Sequence, residues 1–150
     1  MQDDLIIKTT NLTKSYGPHE ALSKLNISVP KGATGLLGPN GAGKSTFLKT
    51  ILGLIQTTEG EGTVLGLDIR TQGDEIRSRI GYMPEYDALN PDMEAINQVR
   101  YSGELLGMNP TIALARAHET LQYVGLGEQR YRHIGSYSTG MKQATKLACA

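Results

Sequence analysis

The spacing of hydrophobic and polar positions changes period along this chain, and each change predicts an element. "LIIKTTNLTKSYG" has an apolar start and a turn at Gly17-Pro18, and in "KLNISVPKG" Leu25, Ile27 and Val29 alternate with Asn26 and Ser28 before a Pro-Lys-Gly turn. A period of two with one polar face predicts a half-exposed antiparallel sheet. "ATGLL" (33–37) is short and mostly apolar, which predicts a buried parallel strand despite Gly35. Phe47, Leu48, Ile51 and Leu52 then recur at helical spacing, with Gly53 where a C-terminal cap belongs. "TTEGEGTVLGLDI" returns to the sheet, "GDEIRSRI" reads as a short helix, and "RIGYMP" (79–84) reads as a second core strand.

From about residue 87 helix formers take over. Met93, Ile96 and Val99 lie on one side of a helix ending at Gly107. The next helix opens with an Asn109 cap and Pro110 in its first turn, carries Leu114, Ala117, Leu121 and Val124, and ends at Gly125. Ser138 is placed as an N-cap before a last helix with Met141, Ala144 and Ala148 on one face, running to Ala150. Stripes of this kind read as core. His118 reads as a surface or capping histidine, because no second ligand stands at metal-binding spacing.

One stretch carries chemistry that packing does not explain. Gly38-Pro39-Asn40-Gly41-Ala42-Gly43-Lys44-Ser45 fills every fixed position of G-x-x-x-x-G-K-S/T, the phosphate-binding P-loop. Glycines at 38, 41 and 43 are expected to take positive φ and turn successive N–H groups inward as an anion nest. A helix starting at Gly43 or Lys44 adds the partial positive charge of its N-terminus. Lys44 would bridge the β- and γ-phosphates of a nucleotide, and Ser45 would offer its hydroxyl to Mg²⁺. Thr46 completes the binding stretch.

Composition narrows the partners. The chain has 150 residues, the length of one ordinary domain, with 15 Lys plus Arg against 15 Asp plus Glu and no block of like charge. No electrostatic case therefore exists for nucleic acid or an anionic membrane surface. Cys149 is the single cysteine, so a reducing compartment is expected, and in an apolar helical run it reads as core filler. "MQDDLIIKTT" has acids where a signal peptide needs basic residues, and no stretch is long enough to span a bilayer. The expectation is a soluble intracellular protein that reaches a membrane only through a partner.

The P-loop followed by "YSTGMKQ" (137–143) resembles the nucleotide-binding domain of an ABC-type ATPase. That family's signature is normally Leu-Ser-Gly-Gly-Gln; Ser138 and Gly140 match it, whereas Tyr137, Thr139 and Met141 depart from it in the manner of ABC-2-type exporter ATPases. "TKSYG" (13–17) resembles the family's A-loop, which implies that Tyr16 stacks on the adenine of ATP, a contact worth on the order of 1–3 kcal/mol. "GYMPEYD" stands in the place of the Q-loop, with Glu85 where a glutamine is usual. Two readings of Glu85 stay open: a Mg²⁺ ligand, since that ion takes hard oxygen donors, or a solvated loop acid.

The resemblance implies an α/β fold of the P-loop NTPase class, ABC-ATPase type, with an antiparallel β subdomain and an α-helical subdomain. On that pattern residues 1–86 form the β subdomain plus P-loop core, 87–137 the helical subdomain and 138–150 the signature helix. It also implies a head-to-tail dimer in which Ser138, Thr139 and Gly140 of one copy face the ATP of the other, and a membrane permease that holds the subunit at the cytoplasmic face. The family's Walker B aspartate, general-base glutamate and switch histidine would follow Ala150. The chain is therefore expected to be a partial domain, with the C-terminal part of the core sheet missing, unable to hydrolyse ATP alone and marginally stable. A nucleotide-binding or regulatory module that never hydrolyses, or a non-transport ABC-type ATPase, is the alternative. A GTPase would need Asn-Lys-x-Asp, which the sequence lacks.

Overall fold

The computed structural model describes residues 5–86 and 88–150. The backbone divides into two compact units, Met1–Ile80 and Gly81–Ala150.

The first unit is built on an antiparallel sheet. Strand β1 (Leu5–Tyr16) pairs with β2 (His19–Leu25), β3 (Ser28–Pro30) and β4 (Glu59–Val64), and β4 pairs with the short β5 (Leu67–Asp68). One strand serves three neighbours because β1 changes direction at Asn11, whose φ is 48°. Its first half, from Leu5 to Thr10, pairs with β3 and β4, and its second half, from Leu12 to Tyr16, pairs with β2 and, at Thr13, still with β4. The bend is fastened locally, since Asn11 N–H donates to Asn26 Oδ1 at 2.9 Å and Thr9 Oγ1 donates to the Leu25 carbonyl at 3.0 Å. The Gly17-Pro18 turn closes the β1–β2 hairpin, with Tyr16 opposite His19. The alternation seen in the sequence is thus the antiparallel sheet it predicts.

Helix α1 (Lys44–Ile51) buries Phe47 and Ile51 among Leu12, Leu22, Val64, Ile69 and Ile76. Full burial of such a side chain stabilises by about 1.5–3 kcal/mol. The helix stops where expected: Leu52 is the C-cap, Gly53 follows at φ 66°, and Arg77 at the end of α2 (Gly73–Arg77) donates from Nη1 to the Leu52 carbonyl at 3.0 Å. A cation on the last carbonyls of a helix suits its negative end.

Two strand expectations are corrected. Residues 33–37 and 79–84 form no strand. Leu37 is 93% exposed and Leu36 41%, and in the other run Tyr82 and Met83 are 40% and 45% exposed. A strand exists only by exchanging backbone hydrogen bonds with a neighbour, and among the described residues neither run has one.

The second unit is helical. Helices α3 (Ala95–Leu105), α4 (Pro110–Tyr123) and α5 (Thr139–Cys149) enclose Ala95, Ile96, Val99, Ala117, Leu121, Leu126, Ile134 and Tyr137. Asn109 accepts from Thr111 N–H at 3.0 Å with Pro110 at the first position, and Gly107 and Gly125 take φ 87° and 81° just past their helices. The buried face of α4 is Ala113, Ala117 and Leu121; Leu114, assigned to that stripe from sequence, is 36% exposed instead. The true stripe runs strictly by four residues, so the neighbouring leucine rotates out. Met141, Ala144, Ala148 and Cys149 of α5 pack on this core as expected.

Ser138 caps α5, accepting from Met141 N–H at 3.3 Å. Ser138→Ala is expected to cost about 1 kcal/mol of unfolding free energy, read as a lowered urea midpoint at unchanged slope.

Candidate functional site

The loop from Gly38 to Gly43 is exposed or half-exposed and leads straight into α1, whose N-cap is Gly43 at φ 83°. Gly41 has the same φ of 83°. Left-handed backbone at these two positions turns the loop back on itself, a geometry that costs a residue with a Cβ about 1–2 kcal/mol. Gly38 departs from the expectation: its φ is not positive, and what restricts it is space, since a Cβ there would lie 3.2 Å from Ala42 Cβ. Gly43 is restricted twice, because its Cβ would lie 2.4 Å from the Ala21 carbonyl oxygen of β2. The loop is therefore seated on the β1–β2 hairpin through main chain.

The Lys44 ammonium donates to the Gly38 carbonyl at 2.7 Å and to the Pro39 carbonyl at 2.8 Å. Ala42 N–H donates to the Pro39 carbonyl at 3.2 Å, and Phe47 N–H to Gly43 at 2.8 Å, the first rung of the helix. Two of the three donors of Lys44 thus curl the loop around its own amine. Ser45, in the first turn, is exposed, and Thr46 is half-buried with its carbonyl accepting from Thr50 Oγ1 at 2.8 Å. Cationic amine, helix N-terminus and closely turned backbone meet at one place, which suits an oligophosphate. The exposed Ser45 hydroxyl at the same helix start suits one position in the shell of a hard cation.

Tyr16 ends β1 on the same hairpin: it faces His19, and Ala21, two residues further along β2, is the residue against Gly43. The ring is 48% exposed, with the Lys14 ammonium 5.0 Å from its centroid. A planar partner can stack on such a ring, and a cation over it strengthens that use.

The remaining candidates belong to the second unit. Ser138, Thr139 and Gly140 are exposed at the start of α5. Two of the three departures from the signature pattern are packing residues: Tyr137 is 6% exposed and donates its hydroxyl to the Gln129 carbonyl at 2.6 Å, and burial pushes its pKa up. Met141 packs against the helical core. Glu85 is exposed, and among the described residues no group of three or more His, Cys, Asp or Glu gathers to hold a metal. His118 is half-buried with its ring 6.2 Å from that of Tyr131. Burial raises the Cys149 pKa, with a Ser102 hydrogen bond opposing it, so the thiol is a poor nucleophile. No described helix is long and apolar enough to cross a membrane. Sequence reasoning missed Lys146, which is buried in α5 at 3% exposure. Only its place between Thr145 and Leu147 on an amphipathic helix could have drawn notice.

The ABC transporter family model matches residues 22–150. The linearmycin resistance ATP-binding protein LnrL of Bacillus subtilis (strain 168) is 36% identical over 146 residues, which is 97% of this chain and 47% of that protein. The bacitracin transport ATP-binding protein BcrA of Bacillus licheniformis is likewise 36% identical over 146 residues, with the same coverage. The chain spans about half the length of the curated relatives it matches. Among solved structures, cbiO1 from Clostridium perfringens, part of the ABC transporter complex cbiONQ, aligns with a TM-score of 0.84 at 22% identity over 97% of this chain and 61% of its own, a likeness of fold. The ATP-binding cassette MJ0796, in a dimeric post-hydrolysis state bound to ADP and Pi, gives 0.76 at 28% identity over 95% and 68%. The family model's match over residues 22–150, with these relatives, makes the chain a member of the ABC transporter family.

Proposed function

We propose that this chain supplies the ATP-binding half of an ABC transporter's nucleotide-binding subunit. The observation that carries the reading is the curl of residues 38–43 around the Lys44 amine at the N-terminus of α1. Main-chain N–H groups of the loop and of the first helical turn hold the β- and γ-phosphates, and the third donor of Lys44 completes the cradle. Ser45 would offer a hydroxyl to Mg²⁺ at the same helix start. Tyr16 stacks on the adenine. Bound as Mg-ATP, the nucleotide supplies a phosphoryl group for transfer to water, which the complete subunit couples to transport through a partner permease.

Two copies would close head to tail, the exposed turn Ser138-Thr139-Gly140 of each offering helix N-terminal donors to the nucleotide of the other. Gly140→Asp separates this role from stability. A Cβ at Gly140 meets nothing nearer than Ser138 Oγ at 4.0 Å, and an acid in the first turn suits the helix dipole. The variant is expected to unfold at the same urea concentration or slightly higher, yet to lose Mg-ATP-dependent dimerisation in the subunit produced at the length of its relatives. Sedimentation velocity with and without Mg-ATP reads this; dimers that persist in the variant rule out the shared site.

A further inference from the structure

The β1–β2 hairpin carries one interaction to which the proposed site gives no role. Lys14 and Tyr16 stand two residues apart on β1, and the Lys14 ammonium lies over the Tyr16 ring, 5.0 Å from its centroid. Among the described residues Lys14 enters no ion pair, so the ring is the group that its charge meets. The pairing of β1 with β2 fixes where this contact faces. Lys14 is opposite Leu22, Ser15 opposite Glu20 and Tyr16 opposite His19, so Ala21 is an extra residue on β2 and β1 keeps its own alternation. Leu12, Lys14 and Tyr16 therefore share one face, and Leu12 is fully buried in the core that Phe47 of α1 completes. The bulged residue is also the one on which the phosphate loop rests. A Cβ on Gly43 would lie 2.4 Å from the Ala21 carbonyl oxygen and 3.0 Å from Leu22 Cδ2. The seat of the loop, Lys14 and Tyr16 thus follow one another along a single hairpin, the ring standing about 7 Å beyond Lys14 toward the turn.

Resting on the nucleotide site proposed above, we infer that Lys14 is a positioning residue for the base of the bound nucleotide, acting through Tyr16. An exposed ring at the end of a hairpin offers two faces, and a base on one or the other would lie at a different place relative to α1. The ammonium occupies one face and holds the ring in one orientation, so a planar base is left with the other. It also draws ring electron density toward itself, which lowers the repulsion that an electron-rich purine meets on the open face. In this role Lys14 serves the base alone, and phosphate binding at the start of α1 does not depend on it.

Titrating Mg-ATP and Mg-tripolyphosphate separately into the subunit produced at the length of its relatives divides base from phosphate. Lys14→Met, which keeps an unbranched stem and removes the charge, is expected to weaken Mg-ATP binding about threefold to fivefold and to leave tripolyphosphate affinity unchanged. Lys14→Arg, whose guanidinium can lie over the same ring, is expected to restore ATP affinity. Tyr16→Leu is expected to weaken ATP binding about fivefold or more, and Lys14→Met to add nothing in that background. Unchanged ATP affinity in Lys14→Met overturns the inference. So does an equal loss for tripolyphosphate, which would make Lys14 a phosphate contact, or a full effect of Lys14→Met that persists with Tyr16→Leu. Should Lys14→Met lose its native circular dichroism, Lys14→Gln takes its place under the same outcomes. A subunit that binds neither ATP nor tripolyphosphate defeats the nucleotide reading and this inference with it, whereas one whose ATP affinity falls on Tyr16→Leu but not on Lys14→Met defeats the inference alone.

Discussion

Exchanging Lys44 for alanine is expected to lower Mg-ATP affinity by about 100-fold or more while the protein stays folded. The amine makes two bonds to loop carbonyls, at 2.7 and 2.8 Å, and the loop it gathers is exposed. Losing them removes the shape of the cradle and its positive charge together. A charge-assisted hydrogen bond is worth about 1.5–3 kcal/mol, so losing the one that the third donor makes to phosphate, together with the gathered loop, is enough for that factor. The same bonds add little to stability because water can replace them, and the urea midpoint should correspond to a change within about 1 kcal/mol. Isothermal titration on the two proteins reads the first effect and urea unfolding the second; equal affinities would remove Lys44 from the site.

Gly43→Ala and Gly41→Ala should differ sharply although both residues sit at φ 83°. At Gly41 an added methyl meets nothing within 4 Å, so only the left-handed backbone resists it, at about 1–2 kcal/mol. At Gly43 the same methyl would lie 2.4 Å from the Ala21 carbonyl oxygen and 3.0 Å from Leu22 Cδ2. Main chain of β2 has to move away from α1, and Leu22 belongs to the core that α1 completes. The expected loss is on the order of 3 kcal/mol or more, in the class of overpacked core variants. Nucleotide binding should weaken in parallel, since the seat of the loop is displaced. Urea midpoints that fall equally in both variants would mean that the hairpin does not carry the loop.

The legible parts of this molecule were those written in local chemistry. Gly53, Gly107 and Gly125 take the left-handed turns that end three helices, and Asn109 and Ser138 accept the hydrogen bonds that begin two. Each of those signals acts within four residues of chain. The P-loop was legible for the same reason, as a loop whose bonding partners lie inside it. Partnered structure was not legible. Runs 33–37 and 79–84 look like strands by composition, but pairing makes a strand, and the described residues give them no neighbour. Gly38 was read as a backbone requirement when its constraint is a contact with Ala42, which spacing does not reveal. Leu114 was placed inside by its helical spacing from Ala117 and Leu121, whereas the packing of α4 follows the smaller Ala113. Lys146 drew no reading from the sequence, since the Pro84 and Glu85 carbonyls to which it donates are far away in sequence.

The central claim is that main-chain amides at the start of α1 enclose a nucleotide's phosphates, and amide resonances report on it directly. In a ¹⁵N-labelled sample titrated with Mg-ATP, the account predicts saturable shifts concentrated on the N–H groups of residues 41–46, with the Lys44→Ala protein showing none at the same concentrations. A folded wild-type protein whose resonances at 41–46 stay in place at millimolar Mg-ATP, or move no more than those of α4, would contradict it.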